Sequence, residues 1–149
     1  MLDKIWTVPA ERMKAGREHR VPLSDRALAI LEEMQGHRCA DDGFVFPGGK
    51  VGKPLSNMAF LMLLRRMNRG DLTAHGFRAT FKTWASERTG SQNEIVEAAL
   101  AHVVGSKVEQ AYQRGDMFEK RRRLMQQWAT FCTTAPAQES QANVARLRG

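Results

Sequence analysis

Residues 72–87 have the sequence LTAHGFRATFKTWASE, and this stretch decides the fold because it predicts the central helix. Thr73 is a natural N-cap, since its hydroxyl can accept a hydrogen bond from a free backbone N–H of the first turn. At about 100° per residue, Phe77, Phe81 and Trp84 fall on one side of a helix. That spacing predicts a helix that buries an aromatic stripe.

The same helix, predicted over about 74–88, places His75 and Arg78 together on a second face, because residues three apart are neighbours on a helix. The motif HGFR therefore presents an imidazole beside a guanidinium while the aromatic side packs inward. For an isolated HxxR motif, the ordinary interpretation is an amphipathic helix whose polar face meets water. The pair gains a functional interpretation only from the residues around it.

The rest of the chain predicts a small antiparallel sheet near the N-terminus and several more helices. Strands are predicted at 5–9 and 19–23, and the polar stretch between them, AERMKAGRE, forms a long hairpin loop that projects Lys14. The apolar residues 44–46 are compatible with a short third strand. Residues 133–149 show little periodicity and are expected to form a flexible tail. The predicted fold class is therefore α+β, mainly helical.

Helix start signals divide the remaining chain. Polar caps precede runs with helical apolar spacing, and two of these caps are followed by glutamate three residues later. The further helices are predicted over about 24–35, 57–68, 92–101, 107–114 and 117–131. Their start signals are Ser24, Ser56, Ser91 with Glu94, Ser106, and Asp116 with Glu119. The second of these helices is predicted to face the core through Met58, Leu61, Met62, Leu64 and Met67.

The composition is that of an ordinary globular protein with an excess of basic residues. The 149 residues carry a net charge of +7, with a pI near 10.0. Such a surface suits a polyanion, because neutralised phosphates release their counterions. No apolar run approaches the roughly 18 residues of a membrane span. Cys39 and Cys132 lie far apart and near no histidine pair, so neither a disulfide framework nor a zinc site is predicted, and a reducing cytoplasm fits best.

Two more polar residues follow the central helix. His102 ends a predicted helix in LAHVVG, where a lone histidine is usually a packed residue or a helix cap. Tyr112, the only tyrosine in the chain, lies in EQAYQRGD on a predicted short helix. With Val108 four residues earlier, it could simply pack there with a solvated hydroxyl. Neither residue alone points to catalysis.

In this order, Lys14, His75, Arg78, His102 and Tyr112 resemble the active site of the tyrosine recombinases, the phage integrase family. Three blocks are similar to the catalytic domains of satellite-phage and genomic-island integrases: WTVPAERMKAGREHRVPLS, LTAHGFRATFKTWASE and LAHVVGSKVEQAYQRGDMFEKRRRLMQQWA. The resemblance covers nearly the whole chain. It implies the helical catalytic domain of the DNA breaking-rejoining enzymes.

The resemblance implies a role for each residue of this set. Tyr112 attacks the scissile phosphate, forms a 3′-phosphotyrosine and releases a 5′-hydroxyl, so the reaction needs neither a metal nor a cofactor. His75 assists as base or hydrogen-bond partner, while Arg78 and His102 donate to phosphate oxygens. Lys14 is the general acid that protonates the leaving oxygen, carried into place by its loop when DNA binds.

The resemblance also implies partners: double-stranded DNA at attachment sites, and a tetramer of the protein on two duplexes. The expected location is the cytoplasm, on nucleoid DNA, for a bacterial or phage-encoded protein. The default interpretation of the run KRRR at 120–123 is a solvated helix face. The core side of that helix is predicted to be Phe118, Leu124, Met125 and Trp128. Candidates for contact with the DNA backbone are Arg65, Arg66, Arg69, Arg121 and Arg122.

The family's site uses two arginines, and the first lies on a helix upstream of the hairpin in a motif like TGxRxxE. The first arginine of this chain, Arg12, lies in the hairpin loop itself, so the matching position is absent. Residues 1–132 are therefore interpreted as a partial catalytic domain, with an exposed strand edge near 5–8 that could pair in a dimer. The chain alone is expected to bind DNA weakly and to cleave it barely or not at all, because one lost phosphate donor costs about 3–4 kcal/mol.

Three other interpretations compete with this one. A type IB topoisomerase shares the tyrosine, arginine and lysine set, but the short chain and the integrase-like blocks argue against it. A non-catalytic DNA-binding or interaction remnant of an integrase is the main alternative from another class, and the five retained site residues disfavour it. A helical structural domain with fortuitous spacing is the least favoured. The attachment-site sequence does not follow from these residues, because bases are read largely by other domains in this family.

Overall fold

The computed structural model describes residues 4–37, 43–50, 52–102 and 116–135. Its N-terminal part is a hairpin of two antiparallel strands, β1 (Ile5–Val8) and β2 (His19–Pro22). The register pairs Ile5 with Pro22 and Val8 with His19. The loop between the strands carries Lys14, as the sequence predicts, and also contains a 3-10 turn (Ala10–Arg12). β1 pairs with β2 alone among the described strands, so its outer edge is open, and Trp6 is 59% exposed.

Helices make up most of the rest of the described chain, which confirms the α+β, mainly helical class. They are α1 (Asp25–Gln35), α2 (Ala59–Arg66), α3 (Ala74–Arg88), α4 (Asn93–Ala99) and α5 (Phe118–Thr133). The helix predicted over 107–114, its cap Ser106 and Tyr112 lie outside the described residues, as do residues 136–149 of the predicted tail.

Two of the predicted N-caps are confirmed by their side-chain hydrogen bonds. Ser24 Oγ accepts from the N–H of Ala27 at 3.3 Å, and Thr73 Oγ1 accepts from the N–H of Gly76 at 3.0 Å. At the start of α5, Asp116 Oδ1 accepts from a first-turn N–H at 3.2 Å. Each bond satisfies a backbone donor that the helix itself leaves free.

Two other start signals are wrong. The predicted capping box at Ser91 does not form, because α4 begins after Gln92 and the N–H of Ser91 donates to Thr89 Oγ1 at 3.1 Å in the preceding turn. Ser56 does not cap α2 with its hydroxyl. The N–H of Ala59 donates to the Ser56 backbone carbonyl at 3.0 Å, and the helix begins there, two residues later than predicted.

The core lies where α3, α4 and α5 meet. Its buried members are Phe81, Trp84, Ala85, Ile95, Val96, Leu100 and Leu124. Trp128 packs against this cluster, edge-on to the ring of Phe81 at 5.4 Å between centroids and 5.0 Å from that of Trp84. The predicted aromatic stripe is therefore confirmed for two of its three rings. It is wrong for Phe77, which is 52% exposed one turn before the packed part of α3.

The segment that contains α2 is packed much less. The prediction that its apolar side is covered is confirmed for Leu64, the one buried residue of the helix, and in part for Leu61, which is half-buried, and it is wrong for the three methionines. Met58, Met62 and Met67 are 51%, 47% and 61% exposed, and Phe60 is 65% exposed. Most of the apolar side of α2 is therefore left exposed, although its residues have helical spacing.

Residues 44–46, compatible with a third strand in the sequence, form no strand in the structure. An isolated antiparallel bridge between Pro47 and Pro54 closes this loop instead. The hydrogen bonds of this bridge come from the flanking residues: the N–H of Gly48 donates to the Lys53 carbonyl at 2.8 Å, and the N–H of Leu55 donates to the Phe46 carbonyl at 3.3 Å. Gly48 is required in the loop because a Cβ there would collide with the Pro54 carbonyl. In the ranges that the structure covers, no helix has the length and apolar character to cross a membrane.

Candidate active site

The turn after α4 places His102 by a Schellman motif. The N–H of His102 donates to the carbonyl of Glu97 at 2.9 Å, and that of Ala101 donates to the carbonyl of Ala98 at 3.1 Å. Between them, Ala101 adopts the left-handed conformation, with φ of 54°. Glycine is the usual residue here, and alanine costs about 1 kcal/mol in this region. The backbone of His102 is thus set by the way α4 ends.

Arg78 reaches the same turn from α3. Its Nη2 donates to the backbone carbonyl of Leu100, two residues before His102. That carbonyl lies at the C-terminus of α4, where the last carbonyls of a helix lack intrahelical partners and carry partial negative charge. The structure therefore brings two of the predicted site residues, Arg78 and His102, to the same turn, although 24 residues separate them.

The ring of His102 has a buried partner that the sequence analysis did not identify. Its Nδ1 lies 2.5 Å from Glu97 Oε2, and Lys82 Nζ lies 2.5 Å from Glu97 Oε1. Glu97 is only 8% exposed, whereas 45% of the His102 side chain remains exposed. Hydrogen bonds from Lys82 and His102 lower the pKa of Glu97 although burial opposes them. The carboxylate is therefore ionised at neutral pH.

A cleft of about 170 Å³ lies beside this turn, between the hairpin, the end of α4 and the start of α5. It is lined by Met13, Ala15, His19, Ala98, Ala101, His102, Asp116 and Arg121. Met13 and Ala15, which flank Lys14 in the chain, both line this cleft. The hairpin loop therefore places the lysine at the edge of the cleft. Lys14 itself is exposed.

On the opposite wall, Asp116 joins α5 to β2. Arg20 donates to Asp116 Oδ2 through Nε at 3.0 Å and Nη2 at 2.7 Å. Arg121 donates to the backbone carbonyls of Asp116 and Arg20, both at 2.7 Å, and its Nη2 lies 3.1 Å from Asp116 Oδ2. Burial would raise the pKa of Asp116, but the hydrogen bond from Arg20 and the charges of both arginines lower it.

Arg121 corrects the prediction that residues 120–123 form one solvated face. Its side chain is 2% exposed, and its guanidinium is committed to the carbonyls and carboxylate just described. It is therefore not accessible to a DNA phosphate in this structure. The sequence spacing could have indicated this, because Arg121 lies on the same side of the helix as the core residues Leu124, Met125 and Trp128.

The other basic candidates differ in how free they are. Arg65 and Arg66 are exposed in the last turn of α2. Arg69 is engaged by Asp71, with bonds of 3.0 and 2.9 Å. Arg122 lies 3.3 Å from Glu119 and has its guanidinium 5.0 Å from the ring centre of Phe118. Exposed ion pairs are weak, so these arginines could exchange a carboxylate for a phosphate.

His75 is exposed in the first turn of α3, three residues before Arg78, and does not line the cleft. Tyr112 lies outside the described residues. Three of the five predicted site residues are therefore gathered at this place: Arg78 and His102 by direct contacts to one turn, and Lys14 through its loop. His75 is tied to them only by its helix.

Two titratable residues of this site were missed by the sequence analysis. Glu97 interrupts the apolar run IVEAAL, and a lone carboxylate in such a run is the signal of a buried, paired group. His19 lies on β2 and lines the cleft, where burial, and then the charge of Arg121, lower its pKa. In the ranges with described side chains, no group of three or more His, Cys, Asp or Glu residues could hold a metal ion.

His102 lines this cleft, Arg78 contacts the adjoining turn, and Lys14 lies between two lining residues. Imidazole, guanidinium and ammonium groups are the donors expected where an oxyanion or phosphate binds. A family model described as "Phage integrase family" matches residues 1–118 of this chain. The chain therefore belongs to the phage integrase family, which is the family of the tyrosine recombinases.

Curated relatives agree with this assignment. The chain is 42% identical over 132 residues to prophage integrase IntA of Escherichia coli K12. The aligned residues cover 87% of this chain and 32% of the relative. It is 39% identical over 128 residues to prophage integrase IntZ of the same strain, covering 85% and 31%. It is 33% identical over 129 residues to the integrase of Shigella phage Sf6, covering 85% and 33%. The chain thus spans about a third of the length of these relatives. No solved structure matches it.

Proposed function

We propose that this chain carries the catalytic residues of a site-specific recombinase that cleaves and rejoins double-stranded DNA through a 3′-phosphotyrosine on Tyr112. One observation carries the proposal: Arg78 and His102 meet at the turn after α4, beside a cleft that is lined in part by the loop of Lys14. These are the donors that a scissile phosphate requires, and they come from three separate parts of the chain.

The chain connection supports Tyr112 as the nucleophile. Tyr112 follows His102 by ten residues and precedes Asp116 by four, and both of these residues line the cleft. This short separation in sequence from two cleft residues is what supports the choice of Tyr112. A tyrosine nucleophile needs help to ionise, because its ordinary pKa is about 10.

Each step of the proposed cleavage is assigned to a named residue of this chain. The Tyr112 oxygen attacks phosphorus as its proton passes to His75, and the bond from phosphorus to the 5′-oxygen breaks. Arg78 and His102 donate to the non-bridging oxygens while negative charge grows on them. Lys14 gives its proton to the leaving 5′-oxygen. Attack by another strand's 5′-hydroxyl then reverses these steps and rejoins the DNA, with no metal or cofactor.

The partners follow from this chemistry. The net charge of +7 suits a duplex, and the exposed Arg65 and Arg66 are the arginines we propose for its backbone. Recombination would take place in a tetramer on two duplexes. We expect the chain alone to cleave DNA slowly at best. In the described part of the site, Arg78 is the single arginine directed at the His102 turn, whereas the site of the family uses two arginines. The loss of one phosphate donor costs a factor of about 10²–10³ in rate.

The test is covalent capture of DNA by a chimera. In IntA of Escherichia coli, the 132 matching residues are replaced by those of this chain, and the protein is mixed with a nicked duplex that carries the attachment site of that relative. We expect protein–DNA adducts that survive denaturation and disappear in Tyr112→Phe. Arg78→Lys should reduce adduct formation by about 10²-fold. The matched control Arg88→Lys, exposed on the same helix, should leave it unchanged.

The outcomes separate the alternatives. Adducts that persist in Tyr112→Phe would show that another residue is the nucleophile. DNA binding without adducts in any variant would favour a non-catalytic DNA-binding remnant. Adducts formed by the 149-residue chain alone as fast as by the chimera would contradict the expected weakness of the isolated chain.

A further inference from the structure

We propose that Glu97 is a positioning residue for the recombination site, which orients the ring of His102 and keeps α3 in register with α4. The inference rests on the proposed role of His102 as a phosphate donor. Glu97 touches no atom that we expect to react, and its effect passes through the residues that it contacts.

The burial of Glu97 requires an explanation. It follows Ile95 and Val96, which are 6% and 1% exposed, and is itself 8% exposed. A buried carboxylate is costly unless charged partners compensate it, and an apolar residue would usually stabilise a core as well or better. Stability alone therefore gives little reason for a glutamate at this position. Its partners indicate a role instead.

Glu97 contacts His102 twice. Its backbone carbonyl accepts from the N–H of His102 at 2.9 Å, and its Oε2 lies 2.5 Å from His102 Nδ1. A carboxylate only accepts, so Nδ1 must carry the proton. That contact leaves the second nitrogen, Nε2, without the carboxylate, and 45% of the side chain is exposed, so Nε2 can donate to a phosphate when the imidazole is protonated. Partners of this kind fix the orientation and the tautomer of functional histidines.

The second carboxylate oxygen ties this arrangement to α3. Glu97 Oε1 lies 2.5 Å from Nζ of Lys82, which is one helical turn after Arg78. Arg78 in turn donates to the carbonyl of Leu100. The two helices are thus linked at two points four residues apart on α3, and one of them is Glu97. Removing the carboxylate would free the His102 ring and the α3 contact together.

The ring orientation is tested without DNA. In the full 149-residue chain with labelled histidines, nitrogen-correlated NMR reports which nitrogen of each of the four rings carries the proton. Assignment uses single His→Gln variants. We expect protonated Nδ1 for His102, and loss of that preference in Glu97→Ala. The matched control Glu94→Ala, exposed on the same helix, should leave the His102 signals in place. A His102 ring with Nε2 protonated and Nδ1 bare in the unaltered chain would overturn the proposal.

The consequence for chemistry is tested in the adduct assay with the chimera. We expect Glu97→Gln to slow adduct formation about 10- to 100-fold, less than the loss of a phosphate donor itself. Glu94→Gln should have no effect. In a His102→Gln background, Glu97→Gln should cost far less than it does alone, because its effect passes mainly through that ring.

The results distinguish the positioning role of Glu97 from the proposed recombinase function on which it rests. Without adducts from the unaltered chimera, the proposed function fails, and the positioning role falls with it whatever the NMR result. With adducts present, equal rates for Glu97→Gln and Glu94→Gln would overturn the positioning role alone. Fully additive effects of Glu97→Gln and His102→Gln would overturn it too, since they would mean a general loss of structure.

Discussion

The helices α2 and α3 both have apolar residues at helical spacing, and they differ in what covers those residues. On α3, Phe81 and Trp84 are each 7% exposed and pack against α4 and α5. On α2, the rings and thioethers are mostly in solvent, with Phe60 65% exposed. The difference shows that periodicity defines a face, while burial depends on a partner. Arg78, Glu97 and His102 all lie on α3, on α4 or in the turn after α4, in the part where the partner is present.

The largest test of this comparison removes one aromatic ring from each helix. Trp84→Ala should lower the free energy of unfolding by about 3–5 kcal/mol, because it leaves a cavity beside Phe81 and Trp128. Phe60→Ala should change it by less than about 0.5 kcal/mol. Urea denaturation followed by circular dichroism measures both. Similar losses from the two variants would mean that α2 is packed in solution and that the contrast is false.

A second test compares two arginines of the run 120–123. Arg121→Met should cost about 1–3 kcal/mol, since it leaves the carbonyls of Asp116 and Arg20 without their donor at a buried place. Arg123→Met, at an exposed position, should stay within about 0.5 kcal/mol. The same urea titrations apply. If Arg121→Met is neutral, the guanidinium does not join β2 to α5 in solution.

A third test concerns the starts of the two helices compared. Thr73→Ala removes the side-chain cap of α3 and should cost about 1 kcal/mol. Ser56→Ala should cost close to nothing, because only the backbone carbonyl of that residue serves α2. Equal midpoints for the two variants would show that the cap does not distinguish these helix starts.

The smallest effect expected is a dependence of stability on pH that arises at the cleft. The pKa values of His19, Glu97 and Asp116 are all lowered on folding, so the unfolded chain binds protons more tightly. Stability is therefore full at neutral pH and falls on acidification, first below about pH 6.5 through His19 and then through the carboxylates. His19→Gln should flatten the upper part of this loss, measured as urea midpoints between pH 7.5 and 5, and exposed His37→Gln should not. A loss that is unchanged in His19→Gln would contradict this account.

Much of the fold follows from local signals in the sequence. The hairpin, the caps at Ser24 and Thr73 and the extent of α3 depend on neighbouring residues alone, and all are confirmed. The wrong predictions are those that need tertiary information. The apolar side of α2 and the stripe at Phe77 depend on what packs against them, and spacing carries no such information.

The same distinction applies to the site. His102 and Arg78 can be recognised in the sequence by residue type and family spacing. The turn that brings them together cannot, because it depends on the left-handed conformation of Ala101. The sequence predicts that Arg121 belongs to a solvated basic run, because nothing in it shows the partners of this side chain. Those partners are the backbone carbonyls of Asp116 and of Arg20, which lies 101 residues earlier. Glu97 could have been suspected from its apolar neighbours. Its two partners could not, because one lies on a different helix and the other beyond the end of its own.

The bonds from Arg121 to Arg20 and from Arg20 to Asp116 have a consequence for how the protein is made. They join residues 101 and 96 positions apart, so the wall of the cleft closes across most of the chain length. Contacts of such separation form late, because a long loop must be closed first. During synthesis, the hairpin emerges from the ribosome many residues before α5 and must wait for it. The nascent chain therefore completes this wall only after residue 121 has left the ribosome, which delays assembly of the cleft until α5 is available.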